Sequence, residues 1–162
     1  MASGGLGVDE YAARPGGSPP LPRSDVVDVA RRCDTATVPK TGGRHEHWQD
    51  EPEEHDFLAA EAYLSLSFPE AAARSIAEAL RGATTTRHKA KDILRAARLA
   101  LLPQTDPEVA KDLKKVAQRE SLSPVLLVRG TPLVVADGYH RICASYHLAE
   151  DTEIPFRLVD PT

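Results

Sequence analysis

Two segments in the middle of the chain show the apolar spacing of amphipathic helices. Residues 54–66 carry a broad apolar face with acidic residues toward the first turn, which predicts a helix. Pro69 and Glu70 favour the start of a second helix, because proline suits the first helical position and an acid suits the N-terminus. Its apolar stripe continues to Gly82, where we expect the helix to end. The pair predicts a helical hairpin over residues 54–81 that packs on the rest of the fold, with an independent binding surface as the alternative.

The next forty residues predict a short strand and further helix. Residues 84–90 open with β-branched threonines and favour a strand, and Ile93-Leu94 then belongs to a turn or a helix. A helix is expected over residues 107–119, because Asp106 can cap it, Pro107 fits its first position and its apolar residues share one face. Its lysines lie mostly off that face. They are typical of a solvated helical surface, with a phosphate or partner patch as the alternative.

The clearest pattern lies in the last forty residues. Residues 123–128 predict a buried strand, which a tight hairpin connects to a second strand over residues 133–136. Asp137-Gly138 then interrupts the strand pattern and begins a helix. A final short strand follows over residues 152–159, in which Pro155 favours an edge strand or a position near the strand's beginning. The alternation of strands and helices predicts a domain of the α/β (α+β) class over residues 84–160.

The first fifty residues have a different composition. Seven of the ten glycines and six of the thirteen prolines precede Glu53, and such a segment buries too little apolar surface to offset chain entropy. We therefore expect residues 1–50 to form a disordered leader, with residues 25–32 as a short helix or docking segment. The His45-Glu46-His47-Trp48 cluster has metal-capable side chains but lacks the spacing of a metal signature. A solvated linker is the favoured interpretation there, and no metal site is predicted.

Charge and hydropathy narrow the classes of function. The net charge of −4 and a pI near 5.9 remove the broad basic field that drives non-specific nucleic-acid binding. No apolar run approaches the roughly 20 residues needed to span a bilayer, and the N-terminus lacks the pattern of a secretory signal. A cytoplasmic protein without membrane contact is expected. Cys33 and Cys143 are then expected to be reduced thiols, with a disulfide as the alternative.

The candidate chemistry lies in the turn Asp137-Gly138-Tyr139-His140-Arg141. A glycine between a strand and a helix allows a close turn, and the first amides of that helix point outward without intrahelical partners. His140 and Arg141 would bind and neutralise phosphate oxygens there, while Asp137 would cap the helix, orient a donor or meet a metal-bound phosphate. The alternative is structural: Asp137 and Gly138 form the cap, His140 makes a polar core contact and Arg141 a surface ion pair.

The order of elements around this turn resembles the ParB/sulfiredoxin superfamily. The resemblance covers residues 84–160 and is most specific over residues 122–159, where a Ser-Pro-led strand, a hairpin, Asp-Gly-x-His-Arg, a helix and a final strand follow one another. It implies that a nucleotide triphosphate, ATP or CTP, binds at Asp137 to Arg141, with Mg²⁺ as a candidate companion. The superfamily includes CTP-dependent partition proteins, sulfiredoxins, a free-serine kinase and proteins described as nucleases, so the fold alone does not select a reaction.

The turn of this chain differs from the turns of the known subfamilies, and these differences narrow the choice of reaction. Sulfiredoxins resemble this turn with a cysteine where this chain has Tyr139, so the sulfur nucleophile of that chemistry is absent. The partition proteins usually have Gly-Glu-Arg-Arg at the turn, whereas this chain has His140 at the first arginine position. The Asp-Gly-x-His-Arg form resembles most closely the kinase-like and uncharacterised branches, which keep a phosphate-binding His-Arg pair. The resemblance implies that role for His140 and Arg141, with His140 as a catalytic candidate, and the kinases use an additional acidic base from the early part of the domain. Asp92 is the nearest candidate for that catalytic base, with helix capping or a surface role as the alternative.

Three functions follow from these patterns. The first is a nucleotide-binding or phosphate-binding protein, with phosphotransfer and nucleotide hydrolysis as the candidate reactions. The second is a non-catalytic interaction module that binds a protein partner through the hairpin of residues 54–81 or the leader. DNA binding comes last, because of the acidic charge balance.

Overall fold

Residues 48–161 are described by the computed structural model, and they form an α+β fold of five helices and one four-stranded sheet. The elements are, in chain order, α1 (Glu54–Leu64), α2 (Glu70–Gly82), β1 (Thr86–Lys89), α3 (Ala90–Ala97), α4 (Pro107–Ala117), β2 (Val125–Val128), β3 (Val134–Asp137), α5 (Tyr139–Leu148) and β4 (Glu153–Val159). The expected α/β class and the helical hairpin before the sheet are confirmed. None of the helices in this part of the chain is long and apolar enough to cross a membrane.

The sheet is mixed, with the strand order β1-β4-β2-β3. β2 pairs antiparallel with β3 and parallel with β4, while β1 pairs antiparallel with β4. Of the two positions expected for Pro155, an edge strand is not observed, because β4 lies inside the sheet, whereas a position near the beginning of the strand is confirmed. The pairing of β4 with β2 begins only at Phe156, however, so Pro155 has β1 as its single strand neighbour. Its missing N–H therefore leaves no bond to β2 unmade.

Helices cover both faces of the sheet, and successive residues of β2 pack alternately against one face and the other. Leu126 and Val128 pack with Ala136 against α1 and α2, whereas Val125 and Leu127 pack against α3, α4 and α5. All four β2 residues are buried, which explains why that strand is continuously apolar. The result is a layer of two helices, the sheet and a second layer of three helices.

Specific polar contacts define the ends of these helices. Asp106 caps α4 as expected, since its side chain accepts hydrogen bonds from the amides of Glu108 (3.0 Å) and Val109 (3.2 Å). At the C-terminal end of α2, a buried arginine of the sheet binds the backbone carbonyls. Arg157 of β4 donates to the carbonyl oxygens of Leu80 (3.3 Å) and Arg81 (2.7 Å). These bonds join the helical hairpin to the middle of the sheet.

Ordered contacts begin earlier than the expected boundary at residue 50. Trp48 forms a bridge with Leu122 and packs against the core, and the Gln49 amide donates to the Leu122 carbonyl at 2.8 Å. Glu51 pairs with Arg157. The remainder of the predicted leader, including Cys33, residues 25–32 and the histidines at 45 and 47, lies outside the described residues. Trp48–Asp50 thus belong to the fold, because a bulky indole gains more from packing than from solvation.

Candidate functional site

The turn that leads into α5 is made possible by Gly138. Its φ of 95° and ψ of 17° lie in the left-handed region, and no side chain of the described residues caps the helix there. A Cβ at this position would lie 3.0 Å from Val125 Cγ2 and 3.1 Å from both Nε and Nη2 of Arg141. Glycine is therefore required both by the backbone conformation and by the close approach of a guanidinium. The amides of the first turn of α5 remain available to an acceptor.

Arg141 faces inward and binds two carboxylates. Its Nη1 donates to Asp56 Oδ1 of α1 at 3.0 Å, and its Nη2 donates to Asp137 Oδ2 at the end of β3. Only 13% of the side chain is exposed, and its buried Nε has no hydrogen-bond partner in the described part of the chain. Arg141 thus links three elements through ion pairs, and it also lines the cleft described below.

Asp56 is the most enclosed member of this ion-pair network. It is 2% exposed, and its Oδ2 accepts hydrogen bonds from the Ser123 hydroxyl and from the Glu53 amide at 2.8 Å. Burial alone would raise the pKa of Asp56, but Arg141, Ser123 and the Glu53 amide outweigh it and lower that pKa. The pKa of Asp137 is raised, because its burial and the nearby Asp56 charge outweigh the attraction of Arg141. The Arg141 guanidinium therefore pairs with two carboxylates whose pKa values are shifted in opposite directions.

A cleft of about 220 Å³ opens beside this network. Its walls come from the start of α1, the outer face of α4, the segment before β2, the end of β3 and the first turn of α5. The charged and imidazole side chains that line it are Glu53, His55, Asp56, Glu108, Lys111, Asp112, Lys115, Asp137, His140 and Arg141. With Arg141 bound to Asp56 and Asp137, the remaining cations are Lys111 and Lys115, which lie one helical turn apart on α4. The cleft combines cationic side chains with the free amides of a helix N-terminus.

Asp112 of α4 is a buried carboxylate within the same cleft. It is 8% exposed, and the cation closest to it is Lys115, whose Nζ lies 3.8 Å from Asp112 Oδ1. Burial raises the pKa of Asp112, while Lys115, Arg141 and His140 offset part of the effect.

The structure brings together part of the expected site. Asp137, Gly138, His140 and Arg141 line the cleft, but the phenol of Tyr139 turns away and donates to the Ala100 carbonyl in the loop between α3 and α4. At residue 139 only the backbone amide can therefore contribute to a ligand site at the turn.

Asp92 lies elsewhere in the fold. It accepts a hydrogen bond from Arg95 at 2.8 Å, lies 3.8 Å from His88, and lines a separate, largely apolar cleft beside Ile93 and Phe156. The structure does not bring it to Gly138, so the surface role weighed as its alternative describes its contacts. On α4, Glu108 and Asp112 are the acidic residues that line the cleft at Gly138.

Cys143 is a free thiol on the buried face of α5. Burial raises its pKa, which opposes formation of the nucleophilic thiolate. This placement agrees with a packing role.

Several residues of the cleft were not singled out by the sequence patterns. Asp56 and Glu53 form a capping box at the start of α1, which is a common structural use of an acid in that position. Ser123 is noticeable only as the residue before Pro124. The separation of 85 residues between Asp56 and Arg141 explains why spacing along the chain did not reveal their pairing.

No group of three or more His, Cys, Asp or Glu side chains suited to a metal ion is present among residues 48–161. Protein-family models, curated proteins and solved structures include none that matches this chain.

Proposed function

We propose that this chain is a ParB/sulfiredoxin-like protein that binds the phosphate groups of a nucleoside triphosphate, ATP or CTP, in the cleft at Gly138. The observation that supports this function is the uncapped N-terminus of α5, which opens on a cleft that also contains Lys111, Lys115 and His140. Backbone amides at a helix N-terminus favour an anion, and cationic side chains nearby add charge-assisted hydrogen bonds.

Within this proposal the residues of the turn have two different tasks. The amides that follow Gly138 and the imidazole of His140 contact the phosphate oxygens, while the lysines of α4 approach them from the other side of the cleft. Arg141 is a positioning residue, because its guanidinium is already bound to Asp56 and Asp137. By neutralising two carboxylates, it lowers the repulsion that they would exert on a phosphate.

The charge of the cleft favours a nucleotide that carries a divalent cation. After Arg141 is paired, Glu53, Glu108 and Asp112 still face the two lysines, so a bare triphosphate would meet carboxylates as well as cations. Mg²⁺ that arrives with the phosphates reduces their negative charge and fits this mixed lining better. The same acidic residues oppose the phosphate backbone of DNA, which agrees with the acidic net charge of the chain.

Phosphotransfer and nucleotide hydrolysis are the reactions that such a cleft supports. Both depend mainly on positioning and on stabilising the charge of the transferred phosphoryl group, for which amides, lysines and an imidazole are suitable. Sulfiredoxin chemistry has no nucleophile here, since residue 139 is a tyrosine and Cys143 is buried.

Calorimetric titration of ATP, CTP, ADP and GTP, each with and without Mg²⁺, tests the proposal. We expect saturable binding of a triphosphate, and the double variant K111Q/K115Q should weaken it by about tenfold to hundredfold, as expected for a lost charge-assisted contact. Lys114→Gln is the matched control, because Lys114 is exposed on the same helix but does not line the cleft. No saturable binding to any of the four nucleotides, or an equal loss in the control, would overturn the proposal.

A protein-interaction module is the second candidate, and exposed apolar side chains on the helical hairpin favour it. Leu58, Tyr63 and Leu66 are 56%, 49% and 81% exposed, which is unusual for large apolar residues that lie so near one another in the chain. A protein that folds normally but binds none of the nucleotides would favour this function.

A further inference from the structure

Asp112 is a buried carboxylate with no hydrogen bond to any residue between 48 and 161. The other buried acid of the cleft, Asp56, is fully used by Arg141, Ser123 and the Glu53 amide. Asp112 has only the distant ammonium of Lys115 at 3.8 Å. Since an ionised carboxylate without hydrogen bonds is costly to bury, its position opposes folding stability and calls for another explanation.

The position of Asp112 in the cleft supplies that explanation. Asp112 lies on α4 in the cleft wall, close enough to His140 and Arg141 of α5 for their charges to act on it. Burial raises its pKa above the ordinary 3.8, which makes the carboxylate a better proton acceptor than an exposed one. A largely buried acid that lines the cleft beside the proposed phosphate site, with an ammonium group at 3.8 Å, has the properties of a general base.

We propose that Asp112 is the general base of a nucleoside triphosphatase reaction in this cleft, and that it accepts the proton of the water molecule that attacks the terminal phosphate. The inference rests on the proposed nucleotide site. In the reaction the water oxygen forms a bond to the γ-phosphorus, and the bond from that phosphorus to the β–γ bridging oxygen breaks. The bridging oxygen leaves with the nucleoside diphosphate, the water proton passes to Asp112, and inorganic phosphate is the second product.

The charged groups around Asp112 suit this step. Lys115 and Glu108 come from α4 itself, and His140 and Arg141 come from the facing helix α5. Arg141 is bound to Asp56 and Asp137, so it does not form an ion pair that would reduce the basicity of Asp112 directly. Water is the nucleophile that the open cleft admits, because side chains along its rim such as Lys111 and His55 are largely exposed.

The test compares D112N with the matched control E120Q in the full chain. Glu120 follows the same helix and is exposed, but it does not line the cleft. Phosphate release from Mg²⁺-ATP and Mg²⁺-CTP is measured beside the Kd of each complex. We expect D112N to lose about 100-fold to 10,000-fold in kcat, the usual contribution of a general base, with a Kd that is unchanged or lower because a negative charge has been removed. E120Q should keep kcat within a few fold of the wild type.

The pH dependence of kcat separates proton transfer from a structural role. Wild-type kcat should rise with pH as Asp112 loses its proton, and this rising limb should be absent from the residual activity of D112N. If D112N does not fold, as judged by circular dichroism, D112S takes its place in the same assays.

These assays distinguish failure of the proposed function from failure of the role proposed for Asp112. A wild-type protein that binds no nucleotide would overturn the proposed function. Binding without phosphate release, equal turnover in D112N, or an equal loss in E120Q would overturn the role of Asp112 and leave the binding proposal standing.

Discussion

Arg141 of α5 and Asp56 of α1 form a buried ion pair with an Nη1–Oδ1 distance of 3.0 Å, although 85 residues separate them in the chain. The pair joins the helical hairpin to the helix that begins at the glycine turn. It makes the stability of the fold depend on a residue that the sequence motif marks as ligand-binding.

Arg141→Ala should destabilise the protein severely. The substitution leaves Asp56 and Asp137 buried without their cation, and removing one partner of a buried pair typically costs about 3–5 kcal/mol of unfolding free energy. Chemical denaturation followed by circular dichroism measures the change. An unchanged unfolding free energy would show that the buried contacts of Arg141 do not stabilise the fold.

Arg95→Ala is the matched control for this measurement. Arg95 also pairs with an aspartate, Asp92, but its side chain is largely exposed, so we expect a change below about 0.5 kcal/mol. Equal stability of the two variants would contradict a structural role for the pair of Arg141 with Asp56.

Gly138→Ala should cost stability, whereas Gly82→Ala should not. Alanine at residue 138 is strained at a φ of 95° and its Cβ would crowd the Arg141 guanidinium at 3.1 Å, so we expect a loss of about 1–3 kcal/mol. Gly82 ends α2 and has open space around its Cα, and alanine there should be neutral or stabilise by up to about 1 kcal/mol. The denaturant concentrations at the unfolding midpoints of the two variants and the wild type measure both changes in stability. A Gly138→Ala protein as stable as the wild type would show that the backbone of the turn can relax.

Asp112→Asn should raise the stability of the protein at neutral pH. The pKa of Asp112 is raised in the folded state, so the protonated form is favoured by folding. The stabilising contribution is present below the ordinary pKa of 3.8 and is lost as pH rises through the higher folded pKa. Asparagine avoids this loss. The variant should therefore unfold a few degrees higher than the wild type at pH 7, and the difference should shrink toward zero in acid.

Thermal unfolding at several pH values measures that difference. A variant that is less stable than the wild type at pH 7 would show that Asp112 makes favourable contacts in the fold. Such a result would also weaken its assignment as a carboxylate kept for chemistry rather than stability.

A chain that begins at Trp48 should retain its stability better than one that begins at Glu53. The longer version keeps the packing of Trp48 on the core, the bond from Gln49 to Leu122 and the pairing of Glu51 with buried Arg157. Loss of these contacts should lower the unfolding free energy by about 2–4 kcal/mol, mainly through the indole and the unpaired arginine. Thermal unfolding of the two truncated proteins measures this difference in stability. Identical midpoints would place the N-terminal boundary of the fold after Glu51.

The elements with a strong local signal are those that the sequence predicts well. Asp106 and Pro107 identify the start of α4 because capping and proline geometry act within one helical turn. β2 is recognisable as buried because every residue of Val125–Val128 is apolar. For Pro155 the sequence left an edge strand and the beginning of a strand as alternatives, because the strand order that decides between them depends on pairings far apart in the chain.

The chemistry of the site was predicted only in part for the same reason. Gly138 and His140 belong to one local motif, and the structure keeps them in one cleft. Asp56 and Asp112 reach that cleft from α1 and α4, and nothing in their immediate sequence distinguishes them from capping or surface acids. Asp92 was chosen as an acidic candidate by its position in the chain, but α3 directs it to a different cleft.

The interior position of β4 has a consequence for the synthesis of the protein. β1, β2 and β3 all emerge from the ribosome before β4, yet β1 has no partner in the sheet except β4. The hairpin of β2 and β3 can pair as soon as it is made, but one edge of β2 stays open until β4 arrives beside it. An unpaired apolar strand edge attracts other chains, so a nascent chain that is paused before β4 would be the form most prone to aggregate.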